Sequence, residues 1–560
     1  MAARLSLIAI VVAIGLATSE LAAQPFIFYR GVVNAASFAP EGLPNGSIAR
    51  GSIFSIFGRE LGPDQGVTVS AFPLGASLAG VSVDVCQDDA CVSALPVFVG
   101  RGQVNAIMPS NAPLGEVSLR ATFDGQAGNF SPATVVETSV GLFAVNSGGF
   151  GPGIVQNFVA TDNQPLNSTL TSAGSGQVVT LWGTGLGPAL NPDNVAPQAG
   201  DLPIDVEIFV GEVPVARKLY SGRSPCCSGV DQFVFEVPAE APTGCYVPVR
   251  ARAGAVVSNT VTIAVGERNS ACRAGDDPFK ALVDGERLGV IFLQRSQRLV
   301  ENSFGEQFPV ESDALIATFR QEAASPFYFD PILSPSAPGT CHVYTTRGDL
   351  FDRDPLPGTR PRTPLDAGAE LSVTTAAGQQ TSPAIGAISG FYGSTLGGNV
   401  NADRRDETAL VLTGPGPFTV AGSGGADIGA FQVQVVAPTQ VTWVNRDATE
   451  EVSRSRGAIL EIGGERSENR MLAVWGGAHD RPSNATTLFA CFVDPMASSY
   501  TVPPSVLANV PAARERHVES KGWLGLAFAS RDSHAEFSTS GINGGVLIFS
   551  AMTARTVRYR

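Results

Sequence analysis

Lysine is nearly missing from this chain: only Lys218, Lys280 and Lys521 occur, so its basic side chains are almost all arginine. Charged residues make up only 16%, against 44% hydrophobic. That balance is too apolar for a disordered chain. After the first two dozen residues no stretch reaches the roughly 18 apolar residues a membrane helix needs, so no later span is expected. The formal net charge of −14 argues against nucleic acid and anionic membrane surfaces as partners, because an acidic surface repels phosphate. The catalytic signatures are also missing. There is no Gly-x-Ser-x-Gly elbow, no HExxH, no Walker loop and no Rossmann fingerprint. Histidine is limited to His342, His479, His517 and His534.

What is present is turn chemistry. Glycine (62) and proline (39) are spread between short apolar runs, which predicts many short strands. Length allows about four domains. Met1–Arg4, the apolar run Leu5–Ala17 and the small residues up to Ala23 have the order of a secretory leader, expected over residues 1–23. The protein is therefore expected to be secreted, extracellular or at the cell surface, with the periplasm as the other exported compartment.

Eight cysteines, an even number in an exported chain, predict disulfides. Cys86 and Cys91 are placed to close a hairpin tip. Cys226 and Cys227 are adjacent and poorly placed to bond each other, so they are expected to reach Cys245 and Cys272. Cys341 is left with Cys491. A zinc site is disfavoured because no CxxC pair exists.

The first half repeats itself. Ser55-Ile-Phe-Gly-Arg-Glu-Leu-Gly-Pro63 returns as Thr180-Leu-Trp-Gly-Thr-Gly-Leu-Gly-Pro188, and Gln103–Pro109 returns as Gln232–Pro238. Each second block is followed by Ala-Pro-x-Gly, at Ala112 and Ala241. Alternating runs such as Val81–Val85 and Val117–Phe123 read as half-buried strands. Collinear repeats of such strands predict sandwiches over residues 24–138 and 139–267. The aromatic of the repeated motif, Phe57 or Trp182, is expected to point inward.

These blocks, together with Gly31-Val-Val-Asn-Ala-Ala-Ser-Phe38, resemble the tandem Ig-like repeats of the IPT/TIG type over about residues 31–267. The resemblance implies fold and export and carries no activity. A polar linker is expected over 268–280, a β-sandwich domain over 281–438 and a C-terminal Ig-like domain over 439–560. The fold class is all-β: tandem Ig-like β-sandwich domains, disulfide-bonded.

No catalytic, cofactor or metal site is expected. Calcium would need several oxygens in one loop. Asp84, Asp88 and Asp89, or Asn401, Asp403, Asp406 and Glu407, supply oxygens without the spacing, and solvated turns explain them better. Asp532-Ser533-His534 juxtaposes triad residue types, but a triad converges in space and not in sequence. Trp182, Trp443 and Trp475 are expected in the core, leaving Trp523 as an exposed platform. The leading expectation is a non-catalytic interaction or adhesion module whose partner is a glycan or an extracellular protein. One alternative is a hydrolase using Glu301, Glu306, Glu311, Asp313 or Asp330 within residues 281–438. The other is a purely structural stalk.

Overall fold

The computed structural model describes residues 24–189, 191–272, 284–301, 305–331, 333–347, 362–376, 378–384, 390–398, 408–512 and 522–560. The expected leader, residues 273–280 of the linker, the Asn401–Glu407 group and His517 lie outside the described residues.

Residues 24–138 hold two facing sheets. One orders its strands Phe26–Asn34, Ile53–Arg59, Gln103–Ile107, Leu95–Val99 and Val67–Thr68. The other is built on Val81–Gln87, Gly115–Phe123 and Gln126–Val136. Alternation sets which side chains meet between them: Phe54, Ile56, Val83, Val85 and Leu119 are buried together. Residues 139–267 repeat this plan. Gly141–Leu142, Val178–Thr184, Asp231–Glu236, Lys218–Arg223 and Gly200–Asp201 follow the strand order of the first sheet. Val179, Leu181, Phe233 and Phe235 form the equivalent core.

The repeats are joined tightly. The Thr184 hydroxyl accepts the Ile53 N–H at 3.0 Å and donates to the Gly229 carbonyl at 2.6 Å. Asp193 takes both the amide and the hydroxyl of Ser110. Gly229 has φ +75°, and a Cβ there would lie 2.6 Å from Ile53 Cγ1, so the loop needs glycine to approach repeat 1.

The expected division at 438/439 does not separate two sheets. Arg287–Glu301, from the first part, pairs in parallel along Gly544–Tyr559, from the second. Cys341–Arg347 pairs with Ala485–Val493. These strands belong to one sheet that counts eleven strands among the described residues. Gly544–Tyr559 explains why the halves cannot part. Its Leu547 and Phe549 pack in a core capped by the sheet of Glu370–Thr375 and Phe418–Gly422. Its Ala551, Val557 and Tyr559, on the same face, pack in a second core capped by Val441–Trp443, Ala458–Gly464 and Ser499–Val502. The region is one body with two adjoining cores. The only α-helix among the described residues is Pro504–Leu507.

All eight cysteines are paired. Cys86 bonds Cys91 across the hairpin tip, and Cys341 bonds Cys491 across two neighbouring strands. The other two pairs differ from the expectation: Cys226 bonds Cys227, and Cys245 bonds Cys272. Topology gives the reason. Cys245 opens the strand Gly244–Ala253, whose neighbour Val261–Val265 leads the chain to Cys272, with 5.3 Å between the Cα atoms. The loop carrying Cys226 and Cys227 belongs to the opposite sheet and is turned toward repeat 1. The start of the expected linker is also held down, since Cys272 N–H donates to Thr169 O and Ser172 Oγ donates to Ser270 O.

Candidate functional site

Strand parity builds an aromatic surface on repeat 1. In Ile53–Arg59, Phe54 and Ile56 are fully buried, so Phe57 and Arg59 face outward. Phe26 pairs with Arg59, and the guanidinium lies over its ring at 4.7 Å from the centroid. Phe28 follows on the same side of the buried Ile27, its ring centroid 6.4 Å from that of Phe26. Phe57 lies 6.1 Å from Phe38. Tyr29 is 74% exposed, Phe28 43% and Phe26 40%. Amides and a hydroxyl complete the face: Asn105 Oδ1 accepts from Ser55 Oγ at 2.9 Å and from Gln103 Nε2 at 2.8 Å.

A cavity of about 260 Å³ opens beside this surface where three bodies meet. Phe38, Pro40 and Phe57 come from repeat 1, Ser147 and Gly148 from repeat 2, and Thr345, Thr346 and Arg347 from the C-terminal body. Arg347 Nη2 donates to the Arg30 carbonyl at 3.0 Å, and the Arg30 guanidinium stands 5.2 Å from the Tyr29 ring centroid. The arrangement combines flat apolar rings, amide groups and cations. It can stack on a ring-shaped ligand and hydrogen-bond its substituents.

The aromatic of the repeated motif was expected to point inward, and it does not. Phe57 and Trp182 are both half-buried on outer faces, and Trp182 Nε1 donates to Gln156 Oε1. The inward residues are their neighbours Ile56 and Leu181. The phase of Phe54 and Ile56 in the sequence carries this signal, since Phe57 stands out of step with both. Trp443 is in the core as expected, whereas Trp475 is half-buried, with its indole lying across Gly525. Trp523 is half-buried and not an exposed platform.

The expected carboxylates are not brought together. Asp313 is fully buried. It binds Arg295 and accepts the Val411 and Leu412 amides, each at 2.7 Å. Asp330 binds Arg320, which also pairs with Glu322. Strand alternation puts Asp313 and Arg320 on opposite faces of the sheet. Glu301 is held by Arg558, Glu311 by Gln297, and Glu306 is exposed at the hairpin end. Ser533 Oγ serves a turn, donating to Ser530 O and accepting from Ser530 N–H, so it is not aimed at His534. His479 Nδ1 bonds Thr486 Oγ1. His342 is buried against Phe329. Burial first, and then the Arg250 charge, push its pKa down to about 3. Asp84 pairs with Arg120 while Asp88 and Asp89 are exposed, and no metal-holding cluster occurs among the described residues.

No family model matches the chain, and no curated protein matches it. Solved structures similar to it include a tetra-tandem repeat in the extending region of a large adhesion protein. That one is 13% identical, covers 95% of this chain and 99% of its own, and has a TM-score of 0.13. A second is SGBP-B of a Bacteroides ovatus mixed-linkage glucan utilization locus, in complex with a mixed-linkage heptasaccharide. It is 11% identical, covers 80% of this chain and 79% of its own, and scores 0.13. Domains 5–6 of the S-layer protein SbsC are 11% identical, cover 43% of this chain and 98% of their own, and score 0.16. At such scores the likeness carries no argument. The all-β, Ig-like reading rests on the strands, their order and the four disulfides. No helix among the described residues is long and apolar enough to cross a membrane.

Proposed function

We propose that the protein is a non-catalytic extracellular or cell-surface interaction protein of the IPT/TIG-like kind, and that the aromatic face of repeat 1 is its contact surface for glycan. The observation that carries this reading is the outward row Phe26, Phe28, Tyr29 and Phe57 beside Gln103 and Asn105. Aromatic rings offer a flat apolar surface to the C–H face of a sugar, and amides answer its hydroxyls. Four disulfides fit an oxidising compartment. The carboxylates that would have served a hydrolase are tied into structural pairs or exposed, which favours binding over catalysis.

The test is binding of the purified, oxidised protein to a glycan and matrix-protein array, with and without calcium. A glycan signal that falls at least about tenfold in a Phe26→Ala/Phe28→Ala variant with unchanged melting supports the reading. A signal that survives the double substitution, or one confined to matrix proteins, overturns it.

A further inference from the structure

Three arginines stand at the aromatic face of a protein whose net charge is −14. Arg59 lies over Phe26, Arg30 over Tyr29, and Arg347 lines the cavity with Phe57. Two of them donate to backbone carbonyls: Arg30 to Glu41 O at 2.9 Å and Arg347 to Arg30 O at 3.0 Å. None of the three forms an ion pair with a described carboxylate. Other arginines do hold carboxylates, as in Arg223–Asp231, Arg295–Asp313, Arg320–Glu322 and Arg558–Glu301, while Arg454, Arg470 and Arg555 bond backbone carbonyls away from this face. Guanidinium groups without a carboxylate partner beside aromatic rings can pair with anions that a ligand brings. The planar fork of arginine matches carboxylate geometry.

From this charge complementarity we infer that the glycan is acidic: a polysaccharide whose uronate carboxylates pair with Arg30, Arg59 and Arg347 while its rings stack on Phe26, Phe28 and Phe57. Sugar carboxylates repeat along such a chain, and the cations are spread likewise, from Arg59 at the end of the strand Ile53–Arg59 to Arg347 at the cavity. This rests on the reading of the face as a glycan surface and adds the ligand's charge.

The probe is polygalacturonate, compared with the same polymer after its carboxyl groups have been reduced to alcohols. Binding is measured by affinity electrophoresis or calorimetry on the purified protein. Polygalacturonate should bind with a Kd at least about tenfold tighter than the reduced polymer, a difference of about 1.4 kcal/mol. The advantage should shrink as salt rises from about 0.05 M to about 0.5 M. It should also shrink in Arg59→Gln, an exposed position, with unchanged melting as the control, and further in Arg59→Gln/Arg347→Gln. Equal binding of both polymers overturns the acidic assignment and leaves the glycan reading standing. Preference for polygalacturonate that Arg59→Gln and the double variant do not change overturns the site. Binding of neither polymer by a protein that gives an aromatic-dependent neutral hit on the array overturns the acidic assignment alone. Binding of neither, with no hit on the array, overturns both.

Discussion

The buried guanidinium of Arg250, in repeat 2, donates from Nη1 to the carbonyl oxygen of Cys341, in the C-terminal body, at 3.1 Å. Its Nη2 binds Glu212, which also accepts from Ser505 Oγ across the same boundary. Phe329 packs nearby against Phe150, Tyr246 and His342. Repeat 2 and the C-terminal body therefore share a packed interface that holds a buried guanidinium, its Nη1 and Nη2 bonded and its Nε without a partner. Removing one partner of a buried pair leaves the other charge uncompensated. Arg250→Ala should cost about 3 kcal/mol, seen as a lower urea midpoint. An unchanged midpoint would mean that this contact does not hold the bodies together.

Asp231 is fully buried beside Arg223, and burial raises its pKa from 3.8 to about 6 despite the arginine and the amides it accepts. The folded protein thus holds this proton more tightly than the unfolded chain. The contribution of the group to stability is fully present below about pH 4 and is lost as pH rises through about 6. Asp231→Asn cannot titrate, so its stability deficit relative to the native chain should be smaller at pH 7 than at pH 4. The expected change is on the order of 3 kcal/mol. Denaturant titrations at both pH values measure it; an equal deficit at the two would show that the site is not desolvated as described.

Cys341–Cys491 spans 150 residues, whereas Cys86–Cys91 spans 5. Chain-entropy arguments give about 5 kcal/mol for the longer loop and about 2 kcal/mol for the shorter. Serine replacement of the first pair should therefore depress the melting temperature more than replacement of the second. The reverse order would count against the entropic account here.

Phe54 and Phe57 stand three residues apart on opposite faces of one strand. Phe54→Ala should cost roughly 3–5 kcal/mol. Phe57→Ala should cost about 1 kcal/mol or less, while weakening glycan binding. Calorimetric melting of the two variants decides whether the motif aromatic faces out.

Much of this was legible in the residues. Alternation gave the strands, the repeated Gly-x-x-Leu-Gly-Pro and Ala-Pro-x-Gly blocks gave the duplication, and Cys86 and Cys91 sat close enough to show their hairpin. The candidate surface was less legible. Trp and Phe in a repeated motif look like core residues until the phase of Phe54 and Ile56 is followed through to Phe57. Arg347 could not be linked to Phe38 from the sequence, because they come from bodies more than three hundred residues apart.

The sequence by itself determined which segments are strands, that the first half is a tandem pair and that the chain is stapled by cysteines, because these depend on local spacing of apolar residues, turns and thiols. Only the tertiary structure decided that the strands of 281–438 and 439–560 share one sheet, that Cys226 bonds its neighbour, and that Arg30, Arg59 and Arg347 meet aromatic residues of repeat 1. Those outcomes depend on parallel pairing between Arg287–Glu301 and Gly544–Tyr559 and on contacts between separate sandwiches. Non-local pairing of that kind leaves no periodicity in either strand to show which partner it will find.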